Sequence, residues 1–313
     1  MTPPTLAAVR TRGAVGAVVS RDVPGLSYRT PEGRWSGLDT DVARAVAAAA
    51  LGDPEAVEWL PADPDARLRP LLAGTAELTV ANVTWTMGRE AEFPVLFAGV
   101  TCYDGEGFLV RADDGFTDAS DLAGRPVAVQ AGTTSAANLA AWFGRRETAV
   151  RTLVSDSVAG ALAAYAEGRC AALVLDRVAL AGQRSRLAAP ERHRILDTVI
   201  SREPMAAAVR DDDPHWLRLC RWVLHLLLAA EHEVAEAGPD ARDRALAGVA
   251  RAAGRHGPAI GLDTGWAARV LDAVGTYADV YERALGPGSG LDVPRGLNAL
   301  WTRGGLHHPV PLH

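Results

Sequence analysis

An eight-residue stretch of the chain, NVTWTMGR at residues 82–89, carries the side chains best suited to binding a small anion. A carboxamide, two hydroxyls and a guanidinium lie close together in it, and Arg89 could hold a carboxylate through two parallel hydrogen bonds. Hydrogen bonds to charged groups are worth about 1.5–3 kcal/mol. The other interpretation, a surface arginine beside a core tryptophan, is the more common one for such a stretch taken alone.

The segments on either side predict where this stretch lies. Residues 77–81 form a short apolar run that predicts a buried strand, and the acidic residues 90–92 predict the beginning of a helix. Polar residues that follow a strand lie at the sheet edge where open α/β proteins bind ligands. We therefore expect residues 82–89 at the carboxyl end of a strand.

Predicted strands and helices alternate along the chain, and the alternation starts twice. We predict strands at residues 13–20, 57–60, 77–81, 107–111, 126–130, 171–175 and 205–210. Helices are predicted at residues 42–50, 67–74, 136–143, 157–168, 178–186 and 213–237, with mostly helical chain to about residue 287. Such alternation is typical of α/β folds in which a mostly parallel sheet is flanked by helices.

Length and composition exclude several classes of function. A chain of 313 residues fits two domains, its net charge of −6 argues against nucleic acid as a partner, and no apolar segment is long enough for membrane insertion. All 32 basic side chains are arginines, which excludes lysine chemistry such as Schiff-base formation. The eight histidines and three cysteines lack metal-ligand spacing, and no glycine-rich phosphate loop is present, so neither a metal site nor a cofactor is predicted. His307 and His308 are expected to be solvated in a C-terminal tail.

Seven segments of the chain carry a resemblance to a known family. They are GLDTD (37–41), NVTWTMGR (82–89), CYDGEGFLVR (102–111), DLAGRPVAVQAGTTSAANLA (121–140), AGALAAYAEGRCAALVLD (159–176), SREPMAAAVR (201–210) and RGLNALWTRGGL (295–306). Together they resemble the bacterial solute-binding proteins of family 3, and within it the general L-amino-acid binding proteins of ABC transporters. The resemblance runs nearly end to end and includes the C-terminal extension typical of that branch.

The resemblance implies a type II periplasmic-binding-protein fold, in which two α/β lobes close on an amino acid. One lobe would comprise residues 1–104 and 203–313, with a helical extension from about residue 238, and the other would comprise residues 105–202. Two chain crossings, near residues 102–107 and 201–206, would form the hinge.

The resemblance also implies which residues hold the amino acid. Five positions match the family's carboxylate-binding set: Arg89, Thr84, Gly132, Thr133 and Thr134. The aspartate that matches Asp176 binds the ligand ammonium in the family, and Asn82 matches a supporting polar position. Exposed amides at a helix N-terminus favour an anion, which agrees with the role of the Gly-Thr-Thr segment. Taken singly, Thr133, Thr134 and Asp176 could equally be helix caps.

The ligand side chain would be recognised mainly by the loop after the first strand, Ser20, Arg21, Asp22 and Val23, together with Trp85. Arg21 and Asp22 are more charged than the resemblance leads us to expect. If either points inward, the side chain of the ligand is polar or charged. Solvated loop charges are the alternative.

Cysteine usage departs from the family and bears on the cellular compartment. The branch usually carries a disulfide between the strand before Gly132 and the turn at Cys170, but Ala128 occupies the partner position. A missing disulfide suits a reducing compartment, and residues 1–13 contain no signal-peptide core. We therefore expect a cytoplasmic protein, or a periplasmic or extracellular one if a signal peptide was removed.

Two functions remain open at this point. We expect a monomer that binds a free L-α-amino acid and, if it is exported, an ABC transporter permease as its partner. The alternative is an intracellular enzyme built on this fold, a lyase, dehydratase or cyclase acting on an amino acid, which requires an acid or base beside the bound substrate. The candidate catalytic residues for that case are Asp22, Asp104, Glu106 and Arg177. None of them lies in a motif that specifies chemistry.

Overall fold

The computed structural model describes residues 4–312, so the outermost residues of the predicted first lobe, 1–3 and 313, lie outside the described part. The strands are β1 (Val15–Ser20), β2 (Tyr28–Arg29), β3 (Trp35–Ser36), β4 (Val57–Ala62), β5 (Leu78–Thr79), β6 (Val95–Asp104), β7 (Glu106–Arg111), β8 (Pro126–Gln130), β9 (Arg151–Ser155), β10 (Ala172–Asp176), β11 (His193–Ile195) and β12 (Glu203–Arg210). The helices are α1 (Pro4–Arg12), α2 (Leu38–Leu51), α3 (Arg69–Leu72), α4 (Met87–Glu92), α5 (Ser135–Gly144), α6 (Val158–Ala166), α7 (Arg177–Arg184), α8 (Pro214–Ala237), α9 (Arg242–Gly254), α10 (Trp266–Val274) and α11 (Tyr277–Ala284). No helix within residues 4–312 is both long and apolar enough to cross a membrane.

Two five-stranded sheets organise the molecule, with strand orders β4-β1-β5-β12-β6 and β11-β7-β10-β8-β9. In the first sheet β1 is parallel to β4 and β5, whereas β12 is antiparallel to β5 and β6. In the second, β8 is parallel to β9 and β10, whereas β7 is antiparallel to β10 and β11. The predicted α/β class is confirmed. The pairing is more evenly mixed than expected because the strands next to the chain crossings add antiparallel neighbours to each parallel core.

The chain passes between the sheets at two adjacent places. Gly105 alone separates β6 of the first sheet from β7 of the second, and the chain returns between β11 and β12. The crossings are bonded to each other: the Ile200 amide donates to the Glu106 carbonyl at 2.9 Å, and the Ser201 hydroxyl accepts from the Glu106 amide at 3.0 Å. Polar side chains near residues 104–106 and 203 are thereby brought together.

The sequence patterns missed the ten-residue strand β6 and also α1, β9 and β11. The β6 sequence, VLFAGVTCYD, contains Gly99 and shows no regular alternation of apolar and polar residues. Its burial along the strand is equally irregular, because β12 pairs with it through two register shifts. A period-two pattern, the usual signal of a half-buried strand, is therefore absent.

The C-terminal extension packs against the strand that leads into the first crossing. Asn298 accepts from the Tyr103 amide at 2.7 Å and donates to the Tyr103 carbonyl at 2.8 Å, as a neighbouring strand would. The expectation of a solvated His307 is wrong, because its side chain is 3% exposed and its ring centroid lies 4.4 Å from that of Tyr277. Burial lowers the pKa of His307 to about 4.

Candidate functional site

The stretch 82–89 follows β5 and runs beside β12 as an irregular extension of the first sheet. The Trp85 amide donates to the Pro204 carbonyl at 2.9 Å, and the Ala206 amide donates to the Val83 carbonyl at 2.9 Å. The chain then turns into α4, where the Thr86 hydroxyl accepts from the Arg89 amide at 3.2 Å as an N-cap. Arg89 consequently lies in the first turn of a short helix at the edge of the sheet, as predicted.

Asn82 is the most constrained residue of this stretch. Its φ of 37° lies in the left-handed region, which asparagine tolerates better than most residues. Its amide donates to the carboxylate of the buried Asp39 at 3.0 Å, and its carbonyl accepts from Arg67 at 3.4 Å. The side-chain oxygen accepts from the Ser20 hydroxyl, and the side-chain nitrogen donates to Asp176 at 3.2 Å. Asn82 therefore fixes the carboxylate of Asp176, which belongs to the second sheet.

Arg89 is partly buried and only partly paired. One terminal nitrogen donates to the Thr84 carbonyl, and the Thr84 hydroxyl donates to Glu203 at 2.5 Å. Burial lowers the pKa of Arg89, while the charges of Glu203 and Asp176 raise it. A guanidinium has five donors in a planar fork, so Arg89 retains donors for a carboxylate.

The Gly132–Thr134 segment provides a second set of hydrogen-bond donors. Gly132 has a φ of 72°, and the Thr133 hydroxyl donates to the Gln130 carbonyl at 2.8 Å, which closes the turn before α5. Within residues 4–312, the amides of Gly132, Thr133 and Thr134 make no hydrogen bond to other protein groups. Free amides at the N-terminus of a ten-residue helix are a suitable site for an anion.

Four carboxylates gather at the chain crossings, and we call Asp104, Glu106, Asp176 and Glu203 the carboxylate cluster. Asp104 accepts from the amides of Gly105 at 2.8 Å and Val178 at 3.0 Å. Glu106 accepts from the Ser135 hydroxyl and, at 2.7 Å, from Asn138, so it anchors the first turns of α5. Each member of the cluster is therefore bonded, and together they tie both sheets to the crossings.

Burial, followed by neighbouring negative charge, raises the pKa values of three of these groups, Asp104, Glu106 and Asp176. Burial raises the pKa of Asp104 to about 6, opposed by the bonds from the Val178 and Gly105 amides. Burial, followed by the charges of Asp104, Glu203 and Glu106, raises the pKa of Asp176 well above its usual value, and Arg67 opposes this. A cationic ligand group would relieve that repulsion. Within residues 4–312 no three such side chains are arranged to hold a metal ion.

A cleft of about 740 Å³ lies between the two sheets. Its wall includes Thr84 and Arg89 from the first sheet's side and Thr134 from α5. Of the other predicted ligand-binding residues, Asn82, Gly132, Thr133 and Asp176 are not among its wall residues, and Asn82 and Asp176 are bonded to each other. The structure thus brings three predicted residues onto one surface and places Asp176 within the charge field of Arg89.

The residues predicted to recognise the ligand side chain lie apart from this cleft wall. Ser20 is buried and donates to Asn82, Val23 makes a bridge with Ser27, and Trp85 stacks on Phe97 at 5.4 Å. Arg21 forms an exposed ion pair with Asp63 at 3.1 Å, and Asp22 a bidentate pair with Arg186 at 2.6 and 2.7 Å. The charges of Arg21 and Asp22 are thus engaged in surface ion pairs, which was the alternative interpretation.

The four candidate catalytic residues are all engaged with protein groups. Asp22 is held by Arg186, and Asp104 and Glu106 by the amides and side chains described above. Arg177 donates to the Leu196 carbonyl at 2.6 Å, and its side chain lies against Gly107. Apart from these contacts, no arrangement of an acid or base beside a reacting carbon is apparent among the described residues.

Two buried residues of the site were missed by the sequence analysis. Burial lowers the pKa of Arg67 to about 10, opposed by Asp176 and Asp39, and burial raises the pKa of Asp39 to about 6. Arg67 was placed only at the start of a predicted helix, residues 67–74, and nothing in its segment PDARLRP indicates burial. Asp39 belongs to the GLDTD segment, which carried the family resemblance but gave this residue no role.

All three cysteines are free and buried. Cys170 and Ala128 belong to the same buried apolar cluster, which also includes Leu173 and Tyr165. Burial raises the pKa of the Cys170 thiol, opposed by a hydrogen bond from the Ala128 amide. The position implied for the missing disulfide partner is therefore adjacent to Cys170 in space.

Comparison with known proteins agrees with this geometry. A model of the family described as bacterial extracellular solute-binding proteins, family 3, matches residues 15–236. The general L-amino acid-binding periplasmic protein AapJ of Rhizobium johnstonii is 35% identical over 98% of this chain and 92% of its own length. The glutamate/glutamine/aspartate/asparagine-binding protein BztA of Rhodobacter capsulatus is 35% identical over 98% of this chain and 93% of its own length.

A solved structure extends the similarity to three dimensions. A periplasmic binding protein of an ABC transporter from Brucella ovis, with glutathione bound, matches with a TM-score of 0.90 at 35% identity over 99% of both chains. The fold implied by the sequence resemblance, that of the type II periplasmic binding proteins, is thereby confirmed. The chain belongs to the bacterial extracellular solute-binding proteins of family 3.

Proposed function

We propose that this protein binds a free L-α-amino acid in the cleft through the ligand's own carboxylate and ammonium groups. The observation that carries the proposal is the presence of two sites of opposite charge close together beside the cleft, since the charge of Asp176 acts on Arg89. Arg89 and the free amides of Gly132–Thr134 offer donors for an anion, whereas the repelling carboxylates around Asp176 favour a cation. A zwitterion satisfies both at once. The names of AapJ and BztA support the same class of ligand.

Binding would require two exchanges of partners. The ammonium group would replace or join the Asn82 amide on Asp176, and the carboxylate would engage the donors of Arg89 that Thr84 does not use. Both exchanges pair a charged group with a charged group, and such hydrogen bonds are stronger than neutral ones. Glutathione is a second candidate, since it has the same amino-acid head and a solved relative at 35% identity holds it.

Closure of the two sides on the ligand is part of the proposal. The moving units would be residues 1–104 with 203–313 and residues 105–202, and the hinge would lie near 102–107 and 201–206. The single residue Gly105 between β6 and β7, and the bonds between the two crossings, support this division. Short segments of this kind absorb domain closure in other proteins.

Isothermal titration calorimetry with the twenty amino acids and glutathione tests the proposal. We expect binding of one or more L-α-amino acids at micromolar affinity or better. Absence of heat and of any thermal shift with every ligand would contradict it. Mass spectrometry of each ligand after hours with the protein addresses the enzymatic alternative: unchanged ligand is expected, and a new product would overturn the binding role.

We further propose a monomer that works with an ABC transporter permease, as family members do. The name of AapJ places that relative in the periplasm. The three free thiols of the present chain are instead compatible with the predicted cytoplasmic location. The cytoplasmic location remains a prediction. Fractionation of the native host decides it, and recovery in the periplasmic or extracellular fraction would contradict it.

A further inference from the structure

The cleft continues past the amino-acid site along α5. Four wall residues, Thr134, Asn138, Trp142 and Arg145, recur every three or four residues, so one face of α5 forms this wall. With a rise of about 1.5 Å per residue, Arg145 lies about 16 Å along the helix from Thr134. One residue of an extended chain spans at most about 3.6 Å, so a single amino acid anchored at Thr134 leaves the far end empty.

The cleft wall is strongly positive beyond Arg89. Arg145 and Arg146 line it just after α5, and Arg202 lines it next to Glu203; we call these three residues the arginine rim. Within residues 4–312 none of the three forms an ion pair with a carboxylate. Glu203 is the single acidic residue of the wall, and it already accepts from Thr84. This positive surface stands on a chain whose net charge is −6, so composition does not account for it.

Arg146 is held in place against the wall. Its guanidinium carbon lies 3.7 Å from the ring centroid of Trp142, and one terminal nitrogen donates to the Trp142 carbonyl at 3.2 Å. Trp142 itself is 5% exposed, so it provides a fixed support. Cations near the last turn of a helix also interact favourably with the helix dipole, and this effect could explain the presence of Arg145 and Arg146 without any ligand. It does not account for Arg202, which lies in the returning crossing immediately before β12 and not in a helix.

We propose that the arginine rim is a second anion-binding subsite, and that the ligand class is an extended amino-acid derivative with a second carboxylate. A separation of about 10 Å between the two carboxylates, the length of about three extended residues, would carry the second carboxylate from Thr134 well towards the rim. Short acidic peptides and γ-linked peptides meet this requirement. The inference rests on the proposed function, since the amino-acid head must be anchored at Arg89 and Thr134.

Calorimetry with three probes tests the subsite: L-glutamine, glutathione, and glutathione ethyl ester, whose glycyl carboxylate is blocked. We expect the ester to bind the wild type about tenfold more weakly than glutathione, because it loses its contacts with two or more exposed charges. In the double variant Arg145→Gln/Arg146→Gln the two peptides should bind with equal affinity, while L-glutamine binds as before. The matched control is Arg151→Gln, an exposed arginine on β9 that is not among the wall residues of the cleft.

Three results would overturn the subsite. The first is equal affinity of glutathione and its ester for the wild type. The second is an equal loss of glutathione affinity in the double variant and in Arg151→Gln. The third is binding of L-glutamine without any binding of glutathione. If one of the twenty amino acids binds but neither form of glutathione does, the subsite alone is contradicted. If none of the twenty amino acids and neither form of glutathione binds, the proposed function is contradicted together with the subsite, so the two failures are distinguishable.

Discussion

The carboxylate cluster and the arginine rim meet at one cleft, where Arg202 and Glu203 are consecutive wall residues, and they differ in charge, burial and bonding. The four carboxylates are partly or fully buried and each accepts a hydrogen bond from a protein group, while burial and neighbouring negative charge raise the pKa values of Asp104, Glu106 and Asp176. The three arginines are exposed and have no carboxylate partner among the described residues. Under the proposed function, the cluster favours one ammonium group at a fixed position. The rim instead attracts anionic groups over a wider surface.

The largest effect should follow from removal of Arg89, which lies between these two regions. Arg89→Ala should weaken amino-acid binding by about 2–4 kcal/mol, because the ligand carboxylate would be desolvated without a charged partner. Calorimetry with the best-bound amino acid measures the change. Arg21→Ala is the matched control, since Arg21 pairs with Asp63 at the surface. Equal affinities of Arg89→Ala and the wild type would remove Arg89 from the site.

Neutralising the ammonium site should have the next largest effect. Asp176→Asn should weaken binding by about 1.5–3 kcal/mol, the worth of a hydrogen bond to a charged group. The free energy of unfolding of the ligand-free protein should stay constant or rise, because one of four repelling carboxylates is removed. Chemical denaturation measures this second quantity. A loss of stability that matches the loss of affinity would assign Asp176 a purely structural role.

Asp176→Asn should also change how the affinity for the amino acid depends on pH. The pKa of Asp176 is raised in the folded protein. As the pH falls through that pKa, the carboxylate is protonated and loses its attraction for an ammonium group. The wild type should therefore bind more weakly at pH 5 than at pH 8, the range that includes the Asp104 pKa of about 6. Asp176→Asn should show a smaller difference. A steeper dependence in the variant would place the titrating group elsewhere.

Asp39, a fifth buried carboxyl beneath Asn82, should affect stability rather than the charge of the cleft. Its pKa is raised from 3.8 to about 6 in the folded protein, so its contribution to stability is present below about pH 4 and is lost as the pH rises through about 6. Chemical denaturation at pH 4 and at pH 7 measures the free energy of unfolding of Asp39→Asn and of the wild type. We expect the variant's advantage over the wild type to be about 1–3 kcal/mol larger at pH 7 than at pH 4. No change of this difference with pH would contradict the prediction.

The smallest effect concerns the Asp22–Arg186 ion pair, which joins the loop after β1 to the segment after α7. Nearby, Gly182 approaches so closely that a Cβ atom would lie 3.0 Å from Pro24. Asp22→Asn should accelerate ligand dissociation about two- to fivefold, because exposed pairs contribute about 0–1 kcal/mol. Stopped-flow kinetics measures the rate. Arg21→Gln, which breaks an exposed pair within one side, should leave it constant.

Much of the fold was predictable because buried strands and helix-forming runs such as VAVQ and VARAVAAAA have clear local patterns. Strand β6 was not, since its burial depends on an irregular pairing with β12, one hundred residues away. The residues of the candidate site likewise include some that local sequence patterns reveal and some that they do not. Arg89 and the Gly-Thr-Thr turn lie in recognisable segments, whereas the largest charge effects on the buried Arg67 guanidinium come from Asp176 and Asp39, which are distant in sequence. The surface pairing of Arg21 and Asp22 likewise depends on remote partners.

The central claim is that opposed charges in the cleft hold an amino acid by its two α-groups. Calorimetry with the best-bound L-amino acid, its N-acetyl derivative and its methyl ester tests this most directly, because each derivative removes one charge and keeps the side chain. We predict that both derivatives bind at least about tenfold more weakly than the parent, since each loses a charge-assisted contact. If either derivative binds as tightly as the parent amino acid, the claim is contradicted.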